Sequence, residues 1–194
     1  MKTKKINCSD IDNSFIFLLK TVLVIAVFLS SGSPSNAQLI YIDIVPDTTI
    51  SASGGYYNLD LNNDGILDYK ISRYTIVDHN SVDIETLHDN CYTSYYNIEC
   101  LFAKAYSFND SIGDFSPWYN SSSKINIANH GGTTTCMDYG EFIGEVDKCL
   151  GLKVIASGEV YYGWVRIDVA SDASWFTMKD YAYNDTTIFA GQTS

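Results

Sequence analysis

Apolar and polar residues alternate along most of this chain with a period of two. From Leu39 to Val45, Ile40, Ile42 and Ile44 face one way and Leu39, Tyr41 and Asp43 the other, until Pro46-Asp47 breaks the run. Tyr57, Leu59 and Leu61 alternate with Asn58 and Asp60. After the turn residues Asn62 to Gly65, Leu67, Tyr69 and Ile71 alternate with Asp68, Lys70 and Ser72, so the two runs predict a hairpin with one apolar and one polar face. Ile98 to Phe108 and Lys124 to Ala128 repeat the pattern, and Leu152–Ala156, Val160–Val169, Trp175–Tyr183 and Thr187–Ala190 predict consecutive antiparallel strands. Residues 78–97 and 109–123 read as polar loops, the first with a short helical turn near 81–88. No longer helical period occurs. The fold class predicted is all-β, an antiparallel β-sandwich with a jelly-roll-like variant compatible, because two packed sheets would cover these apolar faces.

The amino end changes the picture of where the domain begins. Lys2, Lys4 and Lys5, an apolar run from Phe15 to Leu29, and the small residues Ser35-Asn36-Ala37 have the three-part build of a secretory signal peptide, residues 1–37, leaving a single domain of residues 38–194. The run is short of the ~20 apolar residues that span a bilayer, so no stable membrane span is predicted. The localisation implied is secreted: extracellular, periplasmic or cell-surface. Without the signal, 8 basic and 21 acidic residues remain, a net charge near −13. Such a surface suits divalent cations and argues against nucleic acid, whose phosphates need clustered Lys and Arg.

Four cysteines remain after the signal, Cys91, Cys100, Cys136 and Cys149, an even number in an exported chain. Two disulfides are predicted; of the three pairings, the local pairs Cys91–Cys100 and Cys136–Cys149 are favoured, each closing a loop. No Cys-x-x-Cys spacing suggests zinc.

Candidate chemistry concentrates in Asp60-x-Asn62-x-Asp64-Gly65-Ile66-x-Asp68, which places oxygen donors at positions 1, 3, 5 and 9 of an Asp-rich calcium loop. Gly65 occupies the sharp turn and the Ile66 carbonyl is the position-7 ligand. Position 12 is Ile71, so the bidentate glutamate is missing and weak, structural Ca²⁺ binding is expected, in the ~10⁻⁴–10⁻³ M range. The competing reading is a plain turn, since Asn-Asp-Gly is itself a turn signal. Tyr92, Tyr95, Tyr96, Trp118 and Tyr119 lie beside polar residues in predicted loops and form a candidate ligand face for glycan. The acidic pairs Asp138/Glu141 and Glu159/Asp168 would serve a small secreted polysaccharide hydrolase. His79, His88 and His130 carry no catalytic motif, and no catalytic residue is assigned.

Tyr162-Gly163-Trp164-Val165-Arg166-Ile167-Asp168-Val169, Lys179-Asp180-Tyr181-Ala182-Tyr183-Asn184 and Ile188-Phe189-Ala190-Gly191-Gln192 resemble the carboxy-terminal pattern of a group of uncharacterised secreted bacterial β-sandwich proteins. Many of those proteins also resemble this chain in an Asp/Asn/Asp-Gly loop near the mature start. The resemblance implies fold and export, and no activity. The function predicted is a secreted, calcium-stabilised binding or surface-interaction module whose partner is a glycan or another extracellular protein; a hydrolase and a purely structural envelope or matrix component are the alternatives.

Overall fold

The computed structural model describes residues 38–97, 100–120, 124–132, 136 and 138–194. The signal-peptide expectation for residues 1–37 lies outside them. Among the described residues there is no helix, and hence none long and apolar enough to cross a membrane. Fourteen strands form in chain order: β1 (Ile40–Ile50), β2 (Tyr56–Leu59), β3 (Tyr69–Ile76), β4 (His79–Thr86), β5 (Cys91–Asn97), β6 (Cys100–Ala103), β7 (Ala105–Tyr106), β8 (Ser111–Ile112), β9 (Trp118–Tyr119), β10 (Ile125–Gly131), β11 (Lys148–Ala156), β12 (Glu159–Val169), β13 (Phe176–Asn184) and β14 (Ile188–Phe189).

Twelve of them make one sheet, ordered β1-β13-β12-β11-β5-β6-β10-β4-β3-β2, with β7 on β11 and β9 on β5. The pairs are antiparallel except β10 with β6. β5 belongs to both halves: Cys91 and Tyr92 pair with β11, whereas Ser94 to Asn97 pair with β6. The outermost strands, β1 and β2, are consecutive in the chain. The sheet therefore curls into a nearly closed, barrel-like wall. The all-β expectation holds, but two separate packed sheets are not found, because β5 carries the hydrogen-bond ladder continuously from one half to the other.

Inward positions of both halves fill one core. Leu59, Ile71, Val82, Ile84 and Ile127 meet Leu150, Leu152, Val165, Ile167 and Phe176 across it. Each such side chain stabilises the fold by ~1.5–3 kcal/mol on full burial. The fully buried Tyr69 crosses the core with its hydroxyl 2.7 Å from the Cys91 carbonyl and 2.8 Å from the Lys153 carbonyl, accepting the Lys153 N–H at 3.1 Å. It thereby fastens β3 to the start of β5 and to β11. A second, smaller cluster lies outside the sheet, where the β8/β14 pair covers Trp164, Cys149 and Ala182.

Three expectations are corrected. Residues 79–86 and 91–97 are strands, with no helical turn near 81–88. The alternation in β4, Val82 and Ile84 against Ser81, Asp83 and Glu85, holds only two apolar residues, and in β5 Thr93-Ser94 and Tyr95-Tyr96 break the period. The hairpin alternation fails at its loop, where Leu67 is 41% exposed and Asp68 only 3%; strand β3 starts at Tyr69. Finally, the disulfide joins Cys100 to Cys136, leaving Cys91 and Cys149 as free thiols. The favoured local pairs are ruled out by register. Asn97 pairs with Cys100, so Cys91 lies six residues back along β5, roughly 20 Å away at ~3.3 Å per residue. Cys149 is buried in β11 within the second cluster, so Cys136–Cys149 does not form either.

Candidate functional site

Four stretches distant in sequence meet at the Asp60–Asp68 loop. Asn63 and Gly65 take the left-handed conformation, with φ of 55° and 87°, which reverses the chain within the loop. The Asp60 carboxylate accepts the backbone N–H groups of Asp64 at 3.2 Å and Gly65 at 2.8 Å. Asp64 accepts the Ile66 N–H at 2.8 Å and the Asn62 amide at 3.0 Å. These bonds tie the side chains of positions 1, 3 and 5 to one another and to the loop's own backbone.

Asp68 has a different role from the one its spacing suggested. It is buried, and its two oxygens accept the Leu61 N–H at 2.8 Å and the Asn90 amide at 2.9 Å. Burial raises its pKa above the usual carboxylate range, the two hydrogen bonds oppose that rise, and the negative charges of Asp60 and Asp64 add to it. Asn90, 1% exposed, also accepts the Ile155 N–H at 3.1 Å, so one amide joins the loop to the end of β11. Nothing in the sequence around Asn90 pointed to this; only the pairing of β5 with β11 brings it there.

The other side of the loop rests on β12 and β13. Tyr183 donates its hydroxyl to the Asn62 carbonyl at 2.8 Å, and the Tyr181 hydroxyl lies 3.2 Å from Asn63 Oδ1. Leu61 packs on Gly163, where a Cβ would stand 2.9 Å from Leu61 Cδ2 and 2.6 Å from the Ala182 carbonyl oxygen. The hairpin, the Tyr-Gly-Trp strand and the Lys-Asp-Tyr-Ala-Tyr strand are thus one contact.

Hard oxygen donors in this order suit Ca²⁺ better than a softer metal. Asp60, Asn62, Asp64 and the Ile66 carbonyl would hold it, and Asp68, with each oxygen already accepting a bond, would act as a position-9 residue does, through water. Among the described residues no three His, Cys, Asp or Glu side chains are gathered closely enough to bind a metal. Asp64 is exposed, so closing the loop on a cation means drawing it inward. The electrostatics favour that movement. Other carboxylates on this sheet have cationic partners: Asp180 binds Arg166 at 2.5 Å, and Asp147 and Asp168 each bind Lys179 at 2.7 Å. None of the ion pairs among the described residues includes Asp60, Asp64 or Asp68.

No protein-family model matches the chain, and no curated protein or solved structure is significantly similar to it. Its chemistry has to be argued from its own residues.

The aromatic residues proposed as a ligand face do not assemble into one. Tyr92 is fully buried in the core, its ring 6.0 Å from that of half-buried Tyr119 across the β5/β9 pair. Trp118 lies on the outside of β11 and β12, 5.8 Å from the Tyr162 ring, and spends its indole N–H on the Gly113 carbonyl. Tyr95 packs on Phe102, and only Tyr96 is well exposed, at 74%. Polar neighbours give Tyr92 to Tyr96 the look of a loop, but they form strand β5, and strand pairing turns Tyr92 into the core. The acidic pairs separate as well. Glu159 and Asp168 stand at opposite ends of β12, roughly 30 Å apart. Asp138 binds His130 at 2.7 Å, and Glu141 accepts the Ala105 N–H at 2.8 Å.

Proposed function

We propose that the protein is a secreted binding or surface-interaction module whose Asp60–Asp68 loop is closed by a structural calcium ion. The observation that carries the reading is the concentration of Asp60, Asp64 and Asp68 in one nine-residue loop that no lysine or arginine among the described residues neutralises, on a sheet where Asp180 and Asp168 are paired with Arg166 and Lys179. A divalent cation relieves the mutual repulsion that Asp68 experiences. The Cys100–Cys136 disulfide agrees with an oxidising compartment and so with export. The two halves of the curled sheet, facing each other across one core, would serve as a sandwich-like scaffold presenting the loop at one end. The partner is a glycan or another extracellular protein.

Thermal unfolding with and without calcium tests the ion. At a Kd of ~10⁻⁴–10⁻³ M, about 10 mM Ca²⁺ stabilises the folded state by roughly 1.4–2.7 kcal/mol, a rise in Tm of roughly 3–10 °C for a domain this size. Asp64→Ala removes the rise. Identical melting curves in calcium and in chelator would dispose of the site.

A further inference from the structure

Two hollows of about 280 and 290 Å³ flank the loop and share a wall made of Asp64, Ala156 and Ser157. Each alone lies near the lower limit of the ~300–1,000 Å³ typical of ligand pockets; side by side they fall within it. On one side are Ile66, 54% exposed, Ile155, 46% exposed, and His88. On the other are Ile40, Glu159 and the half-buried ring of Tyr161, which stands edge-on to Tyr183 at 5.9 Å.

We propose that this paired hollow binds a neutral oligosaccharide, with one sugar ring on each side of Asp64. The inference rests on the reading of the domain as an extracellular binding module and names its ligand. Among the described residues no lysine or arginine lines either hollow, while Asp64, Asp68 and Glu159 do, so an anionic ligand is repelled from both. Between an alkylammonium and a sugar, the hydrogen-bonding inventory decides. Ser157, His88 and the Tyr161 hydroxyl can donate as well as accept; an ammonium group engages only their acceptor side and leaves their donors unused, whereas a hydroxyl engages both. A sugar hydroxyl accepts from those groups and donates to Asp64 and Glu159. The apolar patches of Ile66 with Ile155, and of Tyr161, lie on opposite sides of the Asp64 wall, matching the C–H faces of two linked rings with hydroxyls between them. Asp64, in the shared wall with Ser157, is the carboxylate able to accept hydroxyls from both rings.

Isothermal titration of the purified protein with cello-, xylo-, manno-, laminari-, malto- and chitotetraose, each in calcium and in chelator, tests this. At least one should bind, and Tyr161→Ala and Ile66→Ala, on opposite sides of the wall, should each weaken it by about tenfold or more without moving Tm in calcium by the amount the ion does. Because Ile66 is exposed, that variant stays informative should the Tyr161 variant fold poorly. Silence from all six sugars, or unchanged affinity in the Ile66 variant, overturns the proposal. So does spermidine binding at the hollow in place of any sugar. A sugar bound in chelator by a protein whose Tm ignores calcium removes the ion and keeps the hollow; a calcium-dependent Tm with no sugar bound does the reverse.

Discussion

Asp83 offers a sharp test of how this fold handles buried charge. It sits on β4 with Ser72 opposite on β3 and Asn126 opposite on β10, and is 8% exposed. One carboxylate oxygen lies 3.3 Å from the Ser81 hydroxyl; the other has no hydrogen-bond partner. Burial pushes the Asp83 carboxyl up to about 6, from an ordinary value of 3.8, although the Ser81 hydroxyl and the charges of Lys124 and His79 pull it down. The folded protein therefore holds this proton up to about pH 6, whereas the unfolded chain releases it near 3.8. Between those values the folded state binds more protons, so this group's contribution to stability falls as pH rises through the window. A difference of about 2 pH units corresponds to ~3 kcal/mol. Asp83→Asn is neutral at every pH and lacks this dependence. In urea titrations followed by tryptophan fluorescence at pH 4, 5, 6 and 7, the variant should gain ~3 kcal/mol relative to wild type between pH 4 and pH 7. Asp68, also raised by burial, is common to both proteins and cancels in the difference. Asp147 and Asp172, which Lys179 and Ser174 hold below the ordinary range, titrate beneath the window. Parallel stability curves for the two proteins would refute the reasoning.

Two further outcomes follow from individual contacts. Asn90→Ala removes one buried hydrogen bond to the Asp68 carboxylate and one part-buried bond from the Ile155 N–H; it should lower stability by ~2–4 kcal/mol in urea unfolding, and a loss under ~1 kcal/mol would show that Asp68 finds other donors. Residues 38–194 should present two thiols per chain to a thiol reagent in denaturant and four after reduction, since Cys91 and Cys149 are free while Cys100 and Cys136 are bonded. In the native state half-buried Cys91 should react first, because Cys149 is fully buried and its thiol is pushed up to about 12. Finding no thiol in denaturant would restore a second disulfide.

The strands of the last third were legible because each has one face on the core and one on solvent or on the small second cluster, so Val165, Ile167 and Val169 alternate cleanly with Trp164, Arg166 and Asp168. β4 and β5 were not. β4 does alternate, Val82 and Ile84 against Ser81, Asp83 and Glu85, but two apolar residues do not stand out from a polar loop, and in β5 Thr93-Ser94 and Tyr95-Tyr96 break the period. The turn at Asn62–Gly65 was visible from local chemistry alone. The partners that give it meaning are Asn90, just before β5, Gly163 on β12 and Tyr181 and Tyr183 on β13, and only non-local pairing brings them to it. Asp68 shows the same limit from the other direction. Alternation carried through the turn placed it on the solvent side, but a loop has no pleat to preserve, and two waiting N–H donors drew the carboxylate inward.

That inward carboxylate explains why the ion and the ligand would share one element. Asp68 is anchored from two sides, through Leu61 to the loop and through Asn90 to Ile155 at the end of β11. Directly beyond Ile155, Ala156 and Ser157 form, with Asp64, the wall between the hollows. One edge of that wall is thus fixed by buried hydrogen bonds. The other edge, Asp64, is exposed and held by contacts within its own loop. A cation that draws Asp64 into the loop fixes this second edge, and a sugar that hydrogen-bonds Asp64 needs it fixed. Whichever ligand binds first bears the ordering cost of Asp64 for both. By linkage each then raises the affinity of the other by the same factor. On the two proposals above, the loop's structural role and the hollows' binding role would in this sense be one property, the order of a single carboxylate.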